Sequence, residues 1–437
     1  MATQRLKRAE RAVIMTNEYS GEITQDSGRL LDRFAKRAVL TRLGALKLGQ
    51  LNLLDGDFSQ VFGARSVDDD SLEVTLEVFD QSFYADFAFG GTTAAGEAYM
   101  RGSWRCSDLT TLVRIMIKNA DVLDALDNSW LRVKAPLFRV AHWFNRNTQV
   151  GSRRNIQAHY DLGNDMFKLF LDSSMMYSCA YYPRENSDLE AAAEAKLKRI
   201  CDKLQLSKAD RVVEIGTGWG GFAIYAARNY GCHVTTTTIS DEQHELAAER
   251  IAAAGLTDLI TLLKQDYRDL NGHYDKLVSI EMIEAVGPQF LETYLRCCSD
   301  LLKPHGVMLI QAITMCDQRY DRAVRSVDFI QRYIFPGGFI PCVSAIAEGV
   351  KQATDMRLFH LEDIGPHYAT TLRDWRDKFN ANLEAIRAQG YSEDFIRMWE
   401  FYLCYSEGGF IERVLGNAQV VFIKPDNRID WRLSMVD

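Results

Sequence analysis

Between residues 214 and 221 the chain reads Glu-Ile-Gly-Thr-Gly-Trp-Gly-Gly, an acid followed by four glycines in six positions. Glycine admits positive φ and close backbone approach, so Gly216, Thr217 and Gly218 can bring amide groups to a polar ligand. Glu214 inside the turn suits a ligand that carries an ammonium and repels a pyrophosphate. Downstream, Thr238-Ile239-Ser240-Asp241-Glu242-Gln243 offers Ser240 or Gln243 to ribose hydroxyls, and Asp266-Tyr267 follows in position to meet an adenine. Ser and Asp at such points are also ordinary helix caps. The nine cysteines form no CxxC pair and no Cys/His group at zinc spacing, so neither a metal site nor a redox dithiol is expected.

These residues need a scaffold, and the pattern around them supplies one. RVVEI (211–215), CHVTTTTIS (232–240), LITLLKQD (259–266), KLVSIEM (276–282) and GVMLIQAIT (306–314) read as strands. Helices are predicted over 189–204, 220–230, 241–255 and 288–302. Strands alternating with helices imply a parallel, doubly wound α/β sheet, which binds ligands beyond the carboxyl ends of its strands. Glycine-rich strand-to-helix turns serve both dinucleotide-binding folds and S-adenosylmethionine (SAM) methyltransferases; the ExGxGxG spacing and Glu214 favour the methyltransferase. Ahead of this region, SLEVTLEVFD (71–80) alternates as a half-buried strand, and Ser107 or Asp108 can cap a helix through LTTLVRIMIKN, so a smaller α+β domain is expected first. We expect an N-terminal domain over 1–145, a linker over 146–155 and the catalytic domain over 156–437.

Composition bounds the rest. With 437 residues, 47% hydrophobic and 25% charged, the protein is globular and neither disordered nor collagenous. A net charge of −8 argues against a general nucleic-acid binder. The first fifty residues carry ten basic and five acidic side chains, a net of +5 that leaves −13 for the remainder. Arg29 to Gly49 reads as a basic helix with Leu30, Phe34, Ala38 and Leu40 among its charges, either a surface helix of its own domain or an element that docks on an anionic membrane. An odd cysteine count without a framework, an opening MATQRLKRAERAVIM without an apolar core and the lack of a run of about 18 apolar residues lead us to expect a cytoplasmic, non-spanning protein.

Around the glycine loop, a set of motifs resembles the cyclopropane-fatty-acyl-phospholipid synthase family: QAHYDLGND (157–165), MMYSCAYY (175–182), VVEIGTGWGG (212–221), TTISDEQ (237–243), IEMIEAVG (280–287), YIFPGGFIP (333–341), HYATTLRDW (367–375) and EGGFIERVLGNAQVVFIKP (407–425). The resemblance implies a Rossmann-like SAM-methyltransferase domain and an N-terminal accessory domain for lipid docking and homodimerisation. It implies methylene transfer from SAM to a cis double bond of a phospholipid acyl chain, forming a cyclopropane at the inner face of the cytoplasmic membrane. The alternatives are a SAM-dependent C-methyltransferase of unsaturated fatty acyl chains, giving a methyl branch or methylene, and a soluble small-molecule methyltransferase. An alkene is its own nucleophile, so such a site supplies negative charge, aromatic faces, a base and dryness. By motif the resemblance assigns bicarbonate as that base, held by the Cys179 backbone, Glu284, the Ile313 backbone and Tyr368. Gln311 stands where the well-known relatives have His, and Gln donates a hydrogen bond without titrating. For SAM it points to Tyr177, Ser178, Gly216, Thr217, Gly218, the run Thr238 to Gln243, Tyr267 and Arg268. Glu281, three residues before Glu284, reads as structural.

Overall fold

The computed structural model describes residues 25–65, 72–120 and 163–428. The expected linker at 146–155 and most of the QAHYDLGND motif lie outside the described residues. The protein divides into two compact units. The first comprises the described residues up to 120 together with Val327–Ile334 and Asn382–Glu412; the second holds residues 163–326, Phe335–Ala381 and residues 413–428. The backbone therefore returns twice to its first unit, a feature that no local signal in the sequence announced.

In the first unit, β1 (Gly49–Asp55) and β2 (Phe58–Ala64) form a hairpin, β3 (Glu73–Val78) pairs parallel with β1, and β4 (Trp104–Cys106) pairs antiparallel with β3. Leu51 and Leu53 of β1 are buried while their alternating neighbours are partly exposed, the period of two that a half-covered sheet requires. Asp108 caps the helix Leu109–Lys118 by accepting from the Thr111 amide at 3.0 Å. The returning helix Glu393–Ile411 packs here: Thr110 Oγ1 donates to the buried Glu407 at 2.8 Å, and Tyr99 OH to Glu400 at 2.9 Å. The basic helix spans Gln25–Leu43 and ends short of the expected Gly49, which instead opens β1. Its buried stripe is Ala35, Val39 and Leu43, at the i, i+4, i+8 spacing of one helix face. Phe34 is 66% exposed, flanked by the exposed Arg33 and Arg37.

In the second unit, β5 (Arg211–Ile215), β6 (His233–Thr238), β7 (Ile260–Lys264), β8 (Tyr274–Ile280) and β9 (Leu302–Met315) run parallel. β10 (Arg357–Asp363) and β11 (Leu415–Ile423) add antiparallel, and among the described residues the order is β10-β11-β9-β8-β5-β6-β7. The doubly wound fold is as expected, with strands and helices within a few residues of their predicted bounds; the antiparallel pair β10–β11 is the addition. Alternation places Val213 and Ile215 of β5 in one core cluster and Val212 in another, so helices cover both faces of the sheet. The order reverses beside β5, where β6 and β8 leave in opposite directions, and the carboxyl ends of β5, β6, β7 and β8 share one edge. Among the described residues no helix is long and apolar enough to cross a membrane.

Candidate active site

β5 ends at the glycine loop, which turns into the helix Gly221–Tyr230. Gly216 has φ +99, a conformation that side chains rarely adopt, and a Cβ there would stand 3.1–3.2 Å from the Met282 side chain. That contact joins the loop to the segment after β8. The Gly216 and Thr217 amides both donate to Thr237 O, at 3.1 and 3.0 Å, so they brace the loop against β6 and do not face outward as expected. Glu214 is buried, accepts from Thr236 Oγ1 at 2.6 Å, and burial pushes its carboxyl up to about 8, an effect that Thr236 and the nearby Lys196 reduce. At neutral pH it is therefore largely the neutral acid, and not the standing negative charge read from the sequence.

The other residues expected at the cofactor lie along the same edge. Ser240 caps the helix Asp241–Ala253 by accepting from the Gln243 amide, and Thr238 Oγ1 donates to Gln243 Oε1 at 2.9 Å. Ile239 is half-buried between them, the Glu242 carbonyl accepts from Asn164 at 3.3 Å, and Asp241 pairs with Lys264. Asp266 is buried with both oxygens on the Arg268 guanidinium at 2.7 Å, and the Tyr267 ring stands edge-on to Tyr294. Tyr177 sits in an aromatic wall with Phe167 and Trp375, each 5.2 Å away. Ser178 accepts from the fully buried Lys196 at 2.7 Å. Burial pulls the Lys196 ammonium down, while Glu281, Asp172, Cys179 and Glu214 hold it up.

Just past β8, donors from four separated segments converge on one carboxylate, that of Glu281. Its Oε1 accepts from the Cys179 amide at 2.9 Å, Gln311 Nε2 at 2.9 Å and Asn417 Nδ2 at 2.7 Å. Its Oε2 accepts from Tyr368 OH at 2.7 Å. Gln311 and Tyr368 are buried, and the orientation of Gln311 is set from behind. Lys203, which can only donate, gives a hydrogen bond to Gln419 Oε1 at 2.7 Å; Gln419 Nε2 then donates to Gln311 Oε1 at 3.0 Å. The amide end of Gln311 is thereby aimed at Glu281.

Glu284 lies apart from these donors. Its Oε1 accepts from the Ile313 amide at 2.5 Å, while its Oε2 is buried without a hydrogen-bond partner. Burial, reinforced by the charge of Glu281, pushes its carboxyl up to about 8. The Cys179 thiol is buried and driven well above its ordinary range by burial and then by Glu281, which leaves it an inert apolar group. The expected set Cys179, Glu284, Gln311, Ile313 and Tyr368 is thus gathered, but its donors already serve two carboxyl groups of the protein itself. Reading Glu281 as merely structural missed its centre; Asn417, which with Gln419 interrupts the apolar strand β11, was missed with it.

The family model described as mycolic acid cyclopropane synthetase matches residues 147–420. The sequence is 41% identical over 341 residues to a tuberculostearic acid methyltransferase of Mycobacterium tuberculosis, covering 76% of this protein and 79% of the relative. It is 39% identical over 354 residues to the cyclopropane-fatty-acyl-phospholipid synthase of Escherichia coli, covering 80% and 88% respectively. Among solved structures, a mycolic acid cyclopropane synthase complexed with SAH and CTAB matches with TM-score 0.59 and 28% identity, over 62% of this protein and 98% of the other.

Proposed function

The protein belongs to the mycolic acid cyclopropane synthetase family of SAM-dependent methyltransferases, and from that premise we propose that it transfers a methylene group to the cis double bond of an unsaturated phospholipid acyl chain, closing a cyclopropane. One observation carries this reading: the glycine loop and the Glu281–Glu284 segment touch through Gly216 and Met282, so a cofactor on the loop lies next to a pair of carboxyl groups. SAM supplies an electrophilic methyl on a sulfonium. The residues of this protein hold and orient it. Glu214 offers a carboxyl to the aminoacyl ammonium, whose charge would draw it back into the ionised form. Ser240 with Gln243, and Tyr267 with Arg268, border the ribose and adenine. Tyr177 and its aromatic wall keep the reacting carbons dry and face the developing cation.

A separate bicarbonate does not fit the residues present. The Cys179 amide, Gln311 and Tyr368 are engaged by Glu281 and the Ile313 amide by Glu284. An anion among these donors would have to displace the Glu281 carboxylate that already takes the Cys179, Gln311 and Tyr368 donors, and no step here runs through one. The exposed Phe34 between Arg33 and Arg37 supports peripheral docking of the first unit on an anionic phospholipid surface at the cytoplasmic membrane. The homodimer implied by the resemblance is part of the same proposal.

A second reading, C-methylation that leaves a methyl branch or an exocyclic methylene, is favoured by Gln311, standing where the resemblance implies His, and by the 41% identity to a tuberculostearic acid methyltransferase. Mass spectrometry and proton NMR of lipids from an expressing host test both. A 14 Da gain with ring-proton signals is expected for the cyclopropane; vinyl or branched-methyl signals would assign the second reading instead.

A further inference from the structure

We propose that Glu281 is the general base of the reaction, a carboxylate built into the protein that takes the role of a diffusible anion. The proposal deepens the reading above and rests on it. Glu281 is one of few described non-glycine residues with positive φ, at +49, held there by its own amide donating to Gln311 O at 2.8 Å. Such strain persists only where the surroundings impose it, and it concentrates at functional sites. Its four donors are distributed unequally. Oε1 receives three and Oε2 receives only Tyr368, which leaves a lone pair on Oε2 open to accept a proton.

Its neighbours are unsuited to the task. Glu284 is largely protonated near neutrality, the Cys179 thiol is inert, and Lys196 is committed to Ser178. The groups around Glu281, from Gln311, Asn417 and Tyr368, all donate to it, the arrangement that an acceptor-only carboxylate requires. In the step assigned to it, the alkene electron pair has formed a C–C bond to the methyl carbon as the C–S bond breaks, leaving a cation on the other alkene carbon. A C–H bond of the transferred methyl then breaks; its electron pair closes the ring onto the cationic carbon, and the proton passes to Glu281 Oε2. The sum is one sulfonium and one alkene in, one thioether, one cyclopropane and one proton out.

The test uses the full-length protein, SAM and vesicles of an unsaturated phospholipid, with and without rigorous removal of carbonate. Wild-type turnover should be unchanged by carbonate removal. Glu281→Gln should lower kcat by about 100-fold or more, as expected for loss of a general base, with SAM affinity by calorimetry within about twofold. Glu281→Gly frees the Cys179, Gln311, Asn417 and Tyr368 donors. Added bicarbonate should then raise its melting temperature and restore part of its turnover, with no such effect on the wild type. Carbonate-dependent wild-type turnover, or near-normal turnover by Glu281→Gln, would overturn the assignment. A wild-type protein that releases no thioether product and modifies no lipid would instead overturn the underlying reading of the function.

Discussion

The glycine loop and the Glu281 cluster occupy the same edge of one sheet, yet they are assembled in opposite ways. The loop is local in sequence: eight consecutive residues turn a strand into a helix, and its Gly216 and Thr217 amides brace on β6 next door, while Trp219 is tied to Asn164 and Arg250. The cluster is collective. Its residues come from the loop around Cys179, the end of β8, from β9, from the helix Gly365–Ala381 and from the antiparallel strand β11. The difference suggests a division of labour, with cofactor binding in the local element and control of charge in the collective one. Substitutions that should affect only one of the two regions test that division.

The largest effect is expected in the cluster. Asn417→Asp would set a second carboxylate 2.7 Å from Glu281 Oε1, where an amide now donates. Unit like charges about 3 Å apart repel by roughly 5 kcal/mol at an effective dielectric constant near 20, so one of the two must take up a proton. Turnover should fall by about 100-fold or more, with SAM affinity by calorimetry nearly unchanged. An equal loss of affinity would show that the two regions are not separable. Gly216→Ala probes the other side. A side chain at φ +99, 3.1–3.2 Å from Met282, carries backbone strain of about 1–3 kcal/mol. SAM affinity should drop by about 5- to 150-fold, and turnover at saturating SAM should fall far less.

The same contrast explains what the sequence revealed. Glu214 to Gly221 was legible because its chemistry and its fold lie in one run of residues. The parallel strands were legible because their apolar runs alternate with helices. Glu281 was not, because an acid at a strand end looks like an ordinary surface residue until Gln311, Tyr368 and Asn417 are brought to it from 30 to 136 positions away. One signal was present: Asn417 and Gln419 interrupt the otherwise apolar strand β11, and fully buried amides need partners. The return of the helix Glu393–Ile411 to the first unit was hidden for a related reason. Ile396, Trp399, Phe401 and Leu403 mark it as a buried helix without saying which core it enters.

The smallest expected effect compares the two buried acids, Glu214 beside the loop and Glu284 beside the cluster, each pushed up to about 8 chiefly by burial. When the protein is unfolded, a Glu ionises near 4.5, while in the folded state these two keep their protons until about pH 8. Each therefore contributes stability that is fully present below pH 4.5 and is lost as pH rises through 8. Glu284→Gln, which cannot ionise, should melt progressively higher than the wild type between pH 4.5 and 8, with the gap level on either side. Glu214→Gln should show the same profile without cofactor. The two should part when SAM is added, because an ammonium beside Glu214 favours its ionised form and shrinks its penalty, while Glu284 has no such partner. A cofactor effect on the Glu284 profile as large as that on the Glu214 profile would erase the distinction between the two regions.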